Sequence, residues 1–299
     1  METTKYIWLN GQFVLWEDAK THIISHSLHY GSGVFEGIRA YKAEKGVAVF
    51  RLKEHIDRLF FSADVMEMAI PYSKEEIMEA IKELLRKNEI ESCYIRPLAN
   101  FGYGVMSVSS DNAPVDVSLS CWPWGAYLPH AMVDVKIVKT RRLSPNGFEP
   151  KAKISGHYVN SMMAGKELKG TKYQEAILLD EKGFLAEGPG ENVFLVKDGK
   201  LFTPKLGSIL AGITRDSVIH FAHDLGIEIS ECELTPDDAY AAEEAFYSGT
   251  AAEITPIHSI DDHVLGSGDI GPVTKKIKEV FLQTTSGKNE LHQDWLAYI

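Results

Sequence analysis

The chain has 299 residues, 44% hydrophobic and 24% charged, and its 31 basic against 42 acidic side chains leave a net charge of −11. That length suits one large domain or two modest ones. The acidic balance argues against a general nucleic-acid or anionic-membrane surface, while leaving room for a local cationic pocket. Three widely spaced cysteines, Cys93, Cys121 and Cys232, form no C-x-x-C pair, which suits a reducing compartment. The N-terminal stretch lacks the apolar core of a signal peptide, and no apolar run approaches the ~18 residues of a membrane span. A cytoplasmic protein without a membrane partner is expected.

In chain order, the first expected element is a hairpin over 5–16, where Y-I-W-L and Q-F-V-L-W flank the turn signal Asn10-Gly11. Asp18 to His29 reads as loop. Its histidines, His22, His26 and His29, have no cysteine or acidic partner at ligand spacing, so no metal is expected. G-V-F-E-G-I-R-A-Y reads as a strand interrupted by glycine, which often marks close approach of backbone or ligand. Leu52 to Ala69 carries Leu52, His55, Ile56, Leu59 and Phe60 at helical spacing. A second helix follows, with Ser73 as N-cap and Glu76 completing a capping box. Strands are expected over 92–101 and 115–122, joined by a glycine- and serine-rich loop.

P-W-G-A-Y-L-P-H-A (123–131) reads as a connector. The expected division is therefore a small N-terminal α/β domain (1–122), an interdomain connector (123–132) and a larger C-terminal α/β domain (133–299) that carries Lys153. The second domain opens on an alternating strand, A-M-V-D-V-K-I-V-K-T, followed by the polar loop R-R-L-S-P-N-G-F-E-P. Then come a helix from Tyr158 to Lys169, a hairpin turning at Asp198-Gly199, a helix from Thr214 to about Leu225 closed by Gly226, and a final helix from Val273 to Thr284.

The densest signal runs from Lys153 to Phe194. It opens K-I-S-G-H-Y-V-N-S and closes L-A-E-G-P-G-E-N-V-F, so Lys153, Tyr158 and Glu187 stand among glycines near the ends of short elements. Pyridoxal phosphate chemistry uses these side-chain types: an amine for a Schiff base, an acid to keep the pyridine nitrogen protonated, and a phenol for the ring hydroxyl. Lys151 lies two residues earlier, a second amine in the same stretch. Downstream, L-A-G-I-T-R-D offers a helix N-terminus and S-G-T-A-A offers small residues, a combination suited to an anion. G-P-G (188–190) lacks the spacing of a dinucleotide loop.

Seven stretches extend this signal over nearly the whole chain: H-Y-G-S-G-V-F-E-G-I-R-A-Y (29–41), R-L-K-E-H-I-D-R-L (51–59), Y-I-R-P-L (94–98), P-W-G-A-Y-L (123–128), the central stretch, L-A-G-I-T-R-D (210–216) and S-G-T-A-A-E-I-T-P (248–256). In this order they resemble the fold-type IV pyridoxal phosphate enzymes, and within them the bacterial branched-chain amino acid aminotransferases. The resemblance implies a two-domain α/β fold like that of D-amino acid aminotransferase, with the active site between the domains. It implies ping-pong transfer of an amino group between leucine, isoleucine or valine and 2-oxoglutarate, with Lys153 as Schiff-base lysine and proton-transfer base. Arg58, Tyr158, Glu187, Leu210, Ile213, Thr214 and Thr250 would join Lys153 in holding the cofactor. Phe35, Met106, Trp124 and Tyr127 would wall the side-chain pocket. Tyr30, Tyr94 and Arg96 would bind a distal carboxylate, and the backbone at Ala251 and Ala252 the α-carboxylate. Amino acid and 2-oxo acid substrates and a homodimer or homohexamer are the partners implied. A D-amino acid or (R)-amine transaminase, or an aminodeoxychorismate lyase, shares the lysine, the glutamate and the cradle. Y-I-R-P-L, P-W-G-A-Y-L and S-G-T-A-A-E-I-T-P favour the branched-chain enzyme over these alternatives.

Overall fold

A computed structural model describes residues 2–125 and 130–299. The chain opens with the hairpin β1 (Tyr6–Leu9) and β2 (Gln12–Leu15). Asn10 (φ 47°) and Gly11 (φ 89°) both take the positive φ that a tight two-residue turn needs. The expected loop after it contains the short helix α1 (His26–Tyr30). The glycine-interrupted strand divides into β3 (Gly33–Phe35) and β4 (Ile38–Ala43), broken at Glu36-Gly37, and β5 (Gly46–Phe50) follows. Helices α2 (Leu52–Val65) and α3 (Lys74–Asn88) come next, the latter with the Ser73/Glu76 capping box in place. Strands β6 (Cys93–Phe101) and β7 (Val115–Trp122) complete the first half.

The second half contains β8 (Val133–Arg141), α4 (Tyr158–Lys166), β9 (Glu175–Leu179), β10 (Asn192–Lys197) and β11 (Lys200–Pro204). It continues with α5 (Ile213–Asp224), β12 (Ile229–Cys232), α6 (Pro236–Tyr240), β13 (Glu244–Gly249) and β14 (Glu253–Ile260). β15 (His263–Val264), α7 (Pro272–Thr285) and β16 (Leu296–Tyr298) end the sequence of elements.

The strands form two sheets, ordered β16-β5-β4-β6-β7-β1-β2 with β3 on β6, and β12-β11-β10-β13-β14-β8-β9 with β15 on β14. The first sheet packs on α2 and α3: Ile56, Leu59, Ile77, Ile81 and Leu84 are fully buried against Ile95, Val117 and Leu119. Each such side chain contributes roughly 1.5–3 kcal/mol by leaving water. The second sheet has parallel pairs at β8–β9, β14–β8 and β11–β12. All five residues of β9 are buried, as expected of a strand covered on both faces.

The chain falls into two compact units, and the division differs from the expected one. Unit 1 comprises 1–125, 152–157 and 284–299, and unit 2 comprises 126–151 and 158–283. Lys153 therefore belongs with the N-terminal residues, not with 133–299. The cause is backbone pairing that local sequence does not reveal. Val34 bridges Ile154, and Gly156 donates its N–H to the Gly31 carbonyl at 3.0 Å. β16 pairs antiparallel with β5, Leu296 opposite Phe50.

Candidate active site

In unit 1 the peptide of Lys153 is held on both sides. Its N–H donates to Ser62 Oγ at 2.9 Å, and its carbonyl accepts from the Phe35 N–H at 3.1 Å. The side chain is half-buried, with Nζ 5.0 Å from the centroid of the Phe35 ring. Beside it lies a charged cluster. Arg58 grips Glu36 with two bonds, Nε to Oε1 at 2.6 Å and Nη2 to Oε2 at 2.9 Å, and His55 Nδ1 lies 2.7 Å from the same Oε2. Glu36 and His55 are fully enclosed, while Arg58 keeps 12% of its side chain exposed. Burial pushes the Glu36 carboxyl up, but the Arg58 charge and the His55 bond outweigh it and hold the group well below the usual carboxylate range. Burial pushes His55 down, against the pull of Glu36.

A second cluster in unit 1 surrounds Arg96 on β6. Its guanidinium lies 4.6 Å from the Phe35 ring and 5.2 Å from Tyr94, and Nη2 donates to the Tyr94 hydroxyl at 3.0 Å. Trp124 meets Tyr94 edge-on at 4.5 Å. The Tyr94 hydroxyl occupies the place a Cβ on residue 37 would take, so only glycine fits there. Arg96 Nε is buried with no hydrogen-bond acceptor among the described residues. Arg39 fixes the approach to Trp124 by donating to the Trp124 and Gly125 carbonyls at 3.2 and 2.6 Å. Tyr30 donates to the Met106 carbonyl at 3.2 Å. Tyr127 lies outside the described residues.

In unit 2, Glu187 lines a small hollow with Arg142, Tyr158, Asn192 and Leu210. Arg142 Nε donates to its Oε1 at 2.6 Å. Asn192 Nδ2 and the Leu210 N–H each donate to Oε2 at 3.0 Å. These donors make the surroundings of a charged acceptor. Two residues beyond Leu210, Gly212 caps α5 without a side-chain bond to its first N–H groups. A Cβ at Gly212 would collide with Asn192 Oδ1, so the glycine lets the helix start close beside the Glu187 network. Ile213 and Thr214 are its first two residues, both buried. Thr250, Ala251 and Ala252 form the turn between β13 and β14. The preceding Gly249 abuts the loop after Glu187, with a Cβ there falling 3.5 Å from the Gly190 carbonyl oxygen.

The family model for amino-transferase class IV matches residues 33–260. The branched-chain-amino-acid aminotransferase of Escherichia coli (strain K12) is 46% identical over 306 residues, 99% of both chains. That of Pseudomonas aeruginosa is 43% identical over 297 residues, 98% of this chain and 97% of its own. This chain belongs to the class IV amino-transferases. The crystal structure of the Escherichia coli branched-chain amino acid aminotransferase superposes with a TM-score of 0.96, at 46% identity and 98% coverage of both chains. The T.th. branched-chain amino acid aminotransferase in complex with N-(5'-phosphopyridoxyl)-L-glutamate also gives 0.96, at 46% identity over 100% of this chain and 99% of that one.

For this class IV member, the expected site residues fall into distinct groups. Unit 1 brings Phe35, Tyr94, Arg96 and Trp124 together, with Lys153 and Arg58 tied in through Phe35 and Glu36. Unit 2 brings Tyr158, Glu187 and Leu210 together. Sequence reading gave no site role to Glu36, His55 and Ser62, nor to Arg142 and Asn192. A signal was available for Glu36, an acid inside a glycine-broken strand. Arg142 carried none, since R-R at the start of a polar loop reads as solvated surface.

Proposed function

We propose that this chain is a pyridoxal phosphate-dependent transaminase moving amino groups between branched-chain L-amino acids and 2-oxoglutarate. The observation that carries it is the 46% identity to the Escherichia coli branched-chain-amino-acid aminotransferase across 99% of both chains. The residues present fit the cofactor and its substrates. Glu187 is a buried acid surrounded by donors, suited to a ring N–H. The start of α5 has no side-chain cap, which suits a phosphate. Arg96 has a buried nitrogen without an acceptor among the described residues, which suits an incoming carboxylate.

Pyridoxal phosphate, when bound, supplies an aldehyde for an amine and a ring that draws charge from the substrate Cα. Lys153 Nζ would hold the cofactor through its aldehyde carbon and, once displaced by the amine of the substrate, would serve as the base that moves the substrate Cα proton, with an anchored main chain limiting its path. Glu187 holds a proton at the ring nitrogen. Tyr158 hydrogen-bonds the ring oxygen, and Leu210 fixes Glu187 through its N–H. Arg58, the backbone at Ile213 and Thr214, and the Thr250 hydroxyl bind the phosphate. Phe35, Met106, Trp124 and Tyr127 pack on the branched side chain. Tyr30, Tyr94 and Arg96 take the distal carboxylate of 2-oxoglutarate, and the backbone at Ala251 and Ala252 takes the α-carboxylate. The enzyme works in the cytoplasm and assembles as a homodimer or homohexamer; the exposed Ile23, Leu28 and Val108 support the assembly.

The test is an absorbance spectrum of the purified protein before and after L-leucine, and then after 2-oxoglutarate. A visible band that L-leucine bleaches and 2-oxoglutarate restores is expected. A band answering only D-alanine or (R)-1-phenylethylamine would replace the substrate. No band with added cofactor would overturn the enzyme.

A further inference from the structure

Five residues of unit 1 form a closed ring of bonds. The Lys153 N–H donates to Ser62 Oγ at 2.9 Å. Ser62 Oγ donates in turn to the Arg58 carbonyl, one helical turn back on α2, at 2.8 Å. The Arg58 guanidinium grips the Glu36 carboxylate. Glu36 is covalently joined to Phe35, and the Phe35 N–H closes the ring on the Lys153 carbonyl at 3.1 Å. Ser62 and Glu36 have no exposed surface, so water does not compete for the Ser62 hydroxyl or the Glu36 carboxylate.

The ring joins the two residues of unit 1 that the proposed function gives to the cofactor. We infer that Ser62 and Glu36 are positioning residues, which lock the main chain of Lys153 to Arg58 so that amine and guanidinium move as one body. The inference rests on the reading of Lys153 and Arg58 as cofactor residues.

Three features distinguish this arrangement from ordinary packing. A serine within a helix commonly bonds the carbonyl one turn back, and that bond alone gains little. Here the same oxygen also accepts from the Lys153 peptide, 91 residues away. Secondly, residues 152–157 form no strand longer than a single bridge, Val34 to Ile154. Their register therefore depends on individual bonds rather than on a ladder. Thirdly, Glu36 sits at the break between β3 and β4, where its backbone N–H is held by the Pro97 carbonyl at 2.9 Å. The acid thus fixes Arg58 from the sheet side, while Ser62 fixes it from the helix side.

Ser62→Ala and Glu36→Gln each cut one arc of the ring. Alanine removes the hydroxyl from α2 without loss of helix propensity, and glutamine keeps the shape of the acid. In cofactor-free protein, amide hydrogen exchange at Lys153 is expected to rise at least ~10-fold in Ser62→Ala. In loaded enzyme, kcat for L-leucine is expected to fall ~10–100-fold, as when reacting groups are misplaced, with KM nearly constant. The isotope effect with Cα-deuterated leucine should grow, a change that loss of folded protein alone does not produce. Because the ring acts as a unit, Ser62→Ala/Glu36→Gln should lose little more than the worse single variant.

Lys153 exchange and an isotope effect both unchanged in Ser62→Ala would overturn the inference, and so would fully additive losses in the double variant. If Ser62→Ala does not fold, Ser62→Thr, which retains the hydroxyl, must restore folding and Lys153 protection; failure to do so also overturns it. A Lys153→Ala control separates this inference from the reading beneath it. Covalent capture of pyridoxal phosphate that persists in that variant, read as a borohydride-fixed peptide, removes the reading itself. Capture lost in Lys153→Ala but unaltered in every respect by Ser62→Ala removes only the ring.

Discussion

Among the described residues, two carboxylate–arginine pairs are largely buried at both ends, Glu36–Arg58 in unit 1 and Glu187–Arg142 in unit 2, and the two acids are held in different ways. Glu36 is fully enclosed and Arg58 retains 12% of its side chain exposed, so the arginine is the member able to meet a ligand and the acid is its anchor. Glu187 lines a hollow with Tyr158 and Leu210, and Arg142 is one of several donors that hold it. Arg142 lines the same hollow and keeps 10% of its side chain exposed against 5% for Glu187, so both members of this pair border the space. A buried ion pair gives modest net stability, because desolvation offsets much of its attraction. What separates the pairs is the company of the arginine: His55 beside it at Glu36, Asn192 and the Leu210 N–H at Glu187.

The contrast can be broken or sharpened by substitution. The largest effect is expected at Lys153, which neither pair replaces. Lys153→Ala should lower turnover by at least ~10⁴-fold, while circular dichroism stays native, because the bonds to Ser62 and Phe35 use only its main chain. On the proposed reading of Glu187 as the partner of the ring nitrogen, Glu187→Gln keeps the volume but loses the charge, and kcat should fall ~10²–10³-fold. A fall of less than tenfold in stopped-flow half-reactions would remove Glu187 from that duty.

The stability of cofactor-free protein then separates the anchors. Arg58→Ala leaves Glu36 charged and enclosed, and should cost about 3–5 kcal/mol in urea unfolding. Arg142→Ala should cost less, about 1–3 kcal/mol, because Asn192 and Leu210 still donate to Glu187. Equal losses would mean that the two acids depend equally on their arginines.

The smallest effect concerns pH. Burial holds His55 below the ordinary histidine range. On acidification below ~6.5 the unfolded chain therefore takes up a proton that the folded chain refuses, and stability declines. The Glu36 carboxyl is held down, so its contribution is present above ~4.3 and is lost as pH falls further. His55→Asn should flatten the upper part of this acid limb and leave the lower part. An unchanged profile in thermal melts from pH 7 to 5 would show that His55 does not report on the cluster.

Much of this was legible in the sequence because its signals are local. Asn10-Gly11 and Asp198-Gly199 demand positive φ and turn where expected. The capping box at Ser73 starts α3. The spacing of Leu52, Ile56 and Leu59 gives α2 its buried face. The class IV membership was legible too, since its motifs run in order along the chain. The pairings were not. Glu36 and Arg58 lie 22 residues apart, and Arg142 and Glu187 lie 45 apart. No periodicity links an acid at a strand break to an arginine on a helix. The membership of Lys153 in unit 1 was hidden for a related reason. Its segment contributes one bridge and a few single bonds, too little to impose a pattern on six residues.

The pairing of β16 with β5 has a consequence for synthesis on the ribosome. Residues 46–50 emerge early, yet the strand that covers their open edge is made almost 250 residues later. Throughout that interval the nascent first sheet presents unpaired N–H and C=O groups along β5, a template for a neighbouring chain. Lys45 and Glu44 stand at the tip of that edge, where charge discourages a stray strand. A slow stretch of translation near residue 280, or a truncation before 296, should therefore raise aggregation well before it alters any residue of the site.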